Sequence, residues 1–257
     1  MSNLEDSKIH LTNGGAFHRR IQIRSRGLET RAALEDDFHH FRVVIRHDKK
    51  CVVAARSESL RHPFDLCPAA GQRLEELIGM PLRARVDSLT REIDARQQCT
   101  HQFDLACLAI AATQRGDTAT EYHAQVTMGS GGEKLGELEL NGKAVMRWEV
   151  KDQMIVLPVA YAGQSITQGF AAYCSTLPDT EAEAALVLRR ALFVSGARWL
   201  DPTEQPFSAG LTGGCWVLAP NRKNSAIRLN NNFRDFNSSP SLILQDDLHW
   251  LEFAGPS

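Results

Sequence analysis

Asn141-Gly142 is the pair of residues that most constrains this chain. It stands between two short runs of strand-like sequence, Leu135–Leu140 and Ala144–Val150, and both residues accept the left-handed backbone that a two-residue turn demands. A tight antiparallel hairpin is therefore expected here. Tyr122–Met128 precedes it across Gly129-Ser130-Gly131-Gly132, and Met154–Leu157 follows across Lys151-Asp152, so four strands are expected in series. The Gly129–Gly132 stretch joins two strands and leads into no helix, which makes it a turn and not a phosphate-binding loop.

A second meander is expected nearer the start. His18–Arg26 alternates Ile21 and Ile23 with charged residues; Leu28–Arg46 is long and ends in Val43-Val44-Ile45; Cys51–Arg56 follows a turn at His47-Asp48-Lys49-Lys50. Helical signals come next. Pro68 suits the first position of a helix with Leu74, Leu77 and Ile78 as its apolar stripe and Gly79 at its end. A weaker helix spans Val86–Gln98. A third runs from Thr100, the expected N-cap, through Phe103, Leu105, Leu108 and Ile110 to Gly116, and is apolar on three sides, as a central buried helix would be. Beyond the later strands, a helix is expected near Ser165–Cys174. Another, capped by Asp179, runs from Thr180 to Arg198 with Glu181 and Glu183 in its first turn. The tail offers a strand at Cys215–Leu218, extended sequence at Ala226–Leu229 and a short segment at Leu242–Trp250. The fold class is α+β. Residues 1–16 form a polar, flexible tail; 17–116 form a lobe of antiparallel strands followed by helices; 117–257 form a second α+β lobe with antiparallel strands and a long helix. No internal repeat relates the lobes.

The 257 residues include 43% hydrophobic and 23% charged side chains, an ordinary soluble mixture. A formal net charge of -2 gives no electrostatic footprint for nucleic acid or an anionic membrane. No run approaches the roughly 18 apolar residues of a membrane span, and MSNLEDSKIHLTNGG lacks the apolar core of a secretory signal. Cys51, Cys67, Cys99, Cys107, Cys174 and Cys215 are widely spaced, so free thiols and a cytoplasmic location are expected. Neither dinucleotide nor P-loop glycine patterns occur, nor a Gly-x-Ser-x-Gly elbow, which argues against nicotinamide redox chemistry, phosphoryl transfer and standard serine hydrolysis.

Two clusters carry the chemistry. In Cys99-Thr100-His101 with Asp104, the helix start places His101 and Asp104 one turn apart on one face, and Cys99 where the helix dipole favours a thiolate. His101 is the expected acid/base, Asp104 its orienting partner and Cys99 a nucleophile or polar liner of the site; the bland alternative is a set of helix-end hydrogen bonds beside a small buried thiol. In Asp36-Asp37-Phe38-His39-His40, read as strand, Asp37 and His39 share the core-facing side with Phe41, Val43 and Ile45, and Asp36 and His40 share the other with Phe38, Arg42 and Val44. Asp37 and His39 then form a proton-handling pair, or else a plain Asp–His hydrogen bond at a hairpin end. Arg19, next to His18, is the candidate anion clamp, with His40, Arg189 and Arg234 as further substrate contacts. For Arg19 a strand-edge salt bridge is the commoner explanation, and for Arg189-Arg190 pairing with Asp201 or Asp235 is the competing one; Arg234-Asp235-Phe236, after Asn230-Asn231-Asn232, is a polar loop that would line a pocket between the lobes. No metal motif is present; a metal, if bound, would fall to His39, His101 and Cys99.

The series Asp36-Asp37-Phe38-His39-His40-Phe41, Arg46-His47-Asp48, Cys67-Pro68, Gly79, Cys99-Thr100-His101 and Asp104-Leu105 resembles a bacterial family, domain of unknown function two-eight-eight-nine. In a subgroup the resemblance continues through Leu188-Arg189-Arg190-Ala191, Gly214-Cys215 and Arg234-Asp235-Phe236. The chain departs from many members at Gly27-Leu28-Glu29-Thr30, where they carry a basic, Thr-rich stretch. The resemblance implies a bacterial, cytoplasmic protein of catabolic context and brings no assigned activity. At the level of architecture, three antiparallel strands followed by helices that begin near cysteines are similar to NifU-type iron–sulfur scaffolds, an analogy of fold only.

The leading expectation is thus a small-molecule enzyme without an organic cofactor, an acid–base lyase, isomerase or hydratase acting on a hydrophobic or aromatic organic acid. It would be a possible homo-oligomer. The runner-up is a non-catalytic metal or sulfur carrier using Cys67, Cys99 and His101.

Overall fold

In the computed structural model, which describes residues 11–199, 215–229 and 232–253, strands from both meanders join in one antiparallel sheet. The first meander comprises β1 (Leu11–Arg26), β2 (Glu29–Asp36), β3 (His40–His47) and β4 (Val52–Arg61). Helices α1 (Cys67–Gly71) and α2 (Thr100–Arg115) follow. The second meander comprises β5 (Ala119–Gly129), β6 (Lys134–Leu140), β7 (Lys143–Lys151) and β8 (Met154–Leu157). Then come α3 (Phe170–Cys174), α4 (Asp179–Ser195) and α5 (Leu248–Leu251). The strand order is β4-β3-β2-β1-β5-β6-β7-β8, so β1 and β5 form the seam, with Phe17 opposite Val126 and Ile21 opposite Tyr122.

Alternation along β1 sends Phe17, Arg19, Ile21 and Ile23 to the helix-covered face, where the aliphatic and aromatic members join Phe103, Leu108 and Ile110 of α2 in the main core. Helix α2 lies against β1, β2 and β3, and α4 against β5, β6 and β7. Each meander therefore carries one long helix on the same side. On the opposite face, Ala33 of β2 packs with Phe236, Ile243, Leu244 and Leu251, so the C-terminal segment covers part of the first meander.

Several expectations need correction. The Leu28–Arg46 run is two strands, because 37–39 turns the chain. That change also dissolves the assumed alternation of Asp36 to His40. The Pro68 helix keeps an α-helical start and becomes a 3-10 helix over Gln72–Leu77, and Val86–Gln98 breaks into 3-10 pieces at Val86–Arg91 and Ala95–Gln97. Cys99, extended at φ -68 and ψ 115, is the N-cap of α2, and Thr100 is already helical. Pro178 likewise takes the N-cap of α4 that Asp179 was expected to hold. Gly169 at φ 70 shortens Ser165–Cys174 to α3. Cys215–Leu218 is no strand; Trp216–Leu218 is a 3-10 turn. Leu11–Ala16, assigned to the tail, belongs to β1, whereas residues 1–10 lie outside the described residues. Among the described residues no helix is long and apolar enough to cross a membrane.

Candidate active site

Glu35, Asp36 and Asp37 place three consecutive carboxyl groups at the end of the β2–β3 hairpin, and all three are buried. Buried acids in a row demand compensating donors, and each of these finds a different set. Glu35 accepts from Arg61 and Arg234, each at 3.1 Å, and from the Leu244 backbone N–H at 2.8 Å. Asp36 accepts two bonds from the Arg19 guanidinium, that from Nε at 2.9 Å. Its other oxygen accepts the backbone N–H groups of Phe38 at 2.8 Å and His39 at 2.9 Å, and also the His39 ring Nδ1 at 2.9 Å. Asp36 thereby builds the turn with its own side chain. Asp37 accepts from Arg198 at 2.5 Å, and the same guanidinium reaches Asp235 at 2.9 Å. Arg61 completes the knot by donating to the carbonyl oxygens of Asp37 at 2.7 Å and Asn232 at 2.8 Å.

The second cluster meets the first. His101, the second residue of α2, stacks on His39 with ring centroids 3.9 Å apart, and Phe41 lies 6.0 Å from His101 on β3. The environment splits these groups electrostatically. Burial would raise Asp36, yet His39 and Arg19 overcome it and hold this carboxyl well below the usual carboxylate range. Burial pushes Asp37 up to about 7; Arg198 pulls it down, but Asp36 and Asp235 add to the rise. Burial lowers His39 despite the Asp36 carboxylate, and burial together with His39 and Arg19 lowers His101 well below its ordinary value. Both imidazoles are therefore neutral near pH 7. Among the described residues, Asp37 Oδ1, Arg198 Nε and His101 Nε2 are buried without a hydrogen-bond partner.

The remaining expected residues go elsewhere. Asp104 does not orient His101; it accepts from Arg190 of α4 at 2.7 Å, because α2 turns that residue toward the neighbouring helix while His101 meets β3. Cys99 is a buried thiol, not a thiolate: burial, with Cys215 nearby, pushes it up to about 12 and overrides the helix dipole. Arg19 is taken up by Asp36, so it is not a free anion clamp. His18 contacts His123 at 3.2 Å, and burial lowers it to about 4. His40 pairs with Asp247 at 2.6 Å, Arg189 donates to the Ile166 carbonyl at 2.6 Å, and Arg234 is held by Glu35. Asp235 pairs with Arg198 and not with Arg189 or Arg190, and Asp201 lies outside the described residues. His39 and His101 do adjoin, but among the described residues no group of three His, Cys, Asp or Glu side chains is placed to hold a metal ion. Arg61, Arg198 and the anchoring role of Asp36 escaped sequence reasoning. The signal for them was arithmetic: three acids on one hairpin end require nearby cations.

Residues 18–114 match the family described as Protein of unknown function (DUF2889). The DUF2889 match contains both clusters, from Asp36–His40 to Cys99–Asp104, and stops before Arg189, Arg198 and Arg234. The Asp37–Arg198 and Glu35–Arg234 pairs consequently tie the DUF2889 segment to residues beyond it. No curated protein matches the chain.

Proposed function

We propose that this chain is a small-molecule enzyme of cytoplasmic catabolism, moving a proton on a hydrophobic or aromatic organic acid as a lyase, isomerase or hydratase does. The observation that carries this reading is the meeting of the two clusters, with His39 held by Asp36 and stacked on His101. The bond to Asp36 fixes the His39 proton on Nδ1 and leaves Nε2 with a lone pair, the state of a general base. Asp37, near half-protonated at neutral pH, supplies the complementary acid through Oδ1. The terminal nitrogens of Arg198 are already held by Asp37 and Asp235, and its buried Nε–H, which has no partner, is the donor left for the substrate carboxylate. His39 would take the proton from the carbon next to that carboxylate, and Asp37 would return one to the product. No organic cofactor enters this scheme.

Solvent exchange tests it. A panel of arylacetic and 3-hydroxy acids incubated with the protein in deuterium oxide should include members that gain deuterium at the carbon beside the carboxylate. The exchange should be lost in His39→Gln and Asp37→Asn variants that retain the native circular dichroism spectrum. Exchange that persists in both variants would sink the assignment. The carrier reading would use Cys67, Cys99 and His101, the last of which packs against His39 and Phe41. Its signature would be metal loading that disappears in Cys67→Ser.

A further inference from the structure

Far along the sheet from the hairpin knot, Lys134 opens β6 as a buried lysine, only 8% exposed. Its ammonium donates to the Leu192 carbonyl oxygen, 2.9 Å away in the last turn of α4. Among the described residues no carboxylate lies within ion-pair distance of it; the adjacent Glu133 is paired instead with Lys151 at 3.4 Å. A buried ammonium without a counter-ion is costly, and an apolar side chain would fill this place without that cost. A cavity of about 130 Å³ adjoins it, lined by Gly132, Lys134, Val150, Asp152 and Gln153. Lys134 therefore borders the cavity, while its amine is held at the C-terminal end of α4.

We infer that Lys134 is a covalent capture site for a small aldehyde or ketone, which the amine takes up as an imine. The amine lone pair attacks the carbonyl carbon to give a carbinolamine. Its oxygen then leaves as water and a C=N bond forms, with no oxidant or reductant involved. The protonated imine keeps one N–H and one positive charge, both suited to the Leu192 carbonyl at the negative end of α4. The same carbonyl disfavours a carbamate from carbon dioxide, which would bring negative charge to that place. Charged groups near the cavity are few: Asp152 on the rim and the Glu133–Lys151 pair beside it, while the last turn of α4 carries no basic residue. Burial lowers the Lys134 amine to about 8, which supplies free amine at neutral pH where exposed lysines have very little.

Reductive trapping decides the matter. The full chain is incubated at pH 7 with acetaldehyde and cyanoborohydride, and N-ethylation is read peptide by peptide by mass spectrometry. Lys134 should label at least about tenfold faster than Lys49, Lys50, Lys143, Lys151 and Lys223, with its rate rising to half-maximum near pH 8 and not above 10. The rapid label should vanish in Lys134→Met. Should that variant fail to fold, the pH dependence at Lys134 in the unaltered chain remains decisive. Labelling at Lys134 no faster than at the exposed lysines, or rising only with them, overturns the proposal. The result is independent of the His39–Asp37 chemistry.

Discussion

Asp36 is the residue on which the hairpin knot depends. Its carboxylate holds Arg19, His39 and two backbone N–H groups at once, so Asp36→Asn leaves the Arg19 charge buried without its partner. The loss should be about 3–5 kcal/mol, read from urea unfolding. Asp104→Asn should cost no more than about 1 kcal/mol, because the Asp104–Arg190 pair is partly exposed. Asp37 has an opposite pH signature. Its folded-state value is raised from 3.8 to about 7, so between those limits the folded chain holds a proton that the unfolded chain has released. Its contribution therefore falls as pH rises through that window. Asp36, whose value is depressed, contributes stability above the ordinary carboxylate range that is lost as the medium becomes more acid. Urea midpoints between pH 4 and 8 should accordingly decline less steeply with pH in Asp37→Asn than in the unaltered chain. A parallel decline would show that Asp37 does not titrate there. At this scale the sequence displayed the chemical groups but not their partners. Helical spacing joined His101 to Asp104, whereas the packing of α2 between a strand and a second helix sends them in different directions.

Hairpins were the most legible elements. Asn141 at φ 51 and Gly142 at φ 73 form the expected tight turn, and β5 to β8 lie close to where the sequence placed them. The β2–β3 turn was illegible because it contains neither glycine nor proline; the Asp36 side chain closes it by accepting from Phe38 and His39. The stretch from 67 to 98 was misread for a related reason. Its apolar residues suit a helix, but they anchor short 3-10 segments under the sheet, with Leu74, Leu77 and Leu89 buried. Packing between elements gives a sharper prediction at Gly136 of β6. A Cβ there would lie 3.0 Å from Leu192 Cδ2 and 3.1 Å from Leu188 Cδ1, both on α4 and both buried. Gly136→Ala should therefore destabilise the protein by about 1–3 kcal/mol, although alanine by itself favours a strand over glycine. Thermal unfolding measures the sum, and an unchanged or higher midpoint would mean that α4 shifts freely on the sheet.

At the scale of the whole molecule, the seam between β1 and β5 governs how the halves depend on one another. The DUF2889 match ends at residue 114, before β5 begins. Within that segment β1 has only β2 as a ladder partner; its other edge, from Ala16 to Arg24, is paired to β5. Cutting the chain after Gly116 would open that edge and uncover Ile21, which lies opposite Tyr122, and Phe17, which lies opposite Val126. It would also remove Arg198 from Asp37 and Arg234 from Glu35, leaving two buried carboxyl groups short of donors. These losses act on the same hairpin and the same strand, so they compound. The fragment 17–116 should show no cooperative urea transition and should associate through its exposed strand edge, as read by circular dichroism and light scattering. The full chain should unfold in one step, with far-ultraviolet circular dichroism and tryptophan fluorescence coincident, since Trp148 is buried against Tyr161 and Phe170 in the other half. A fragment that unfolds sharply by itself would show that α2 and four strands suffice, and that the seam is only an interface between independent units.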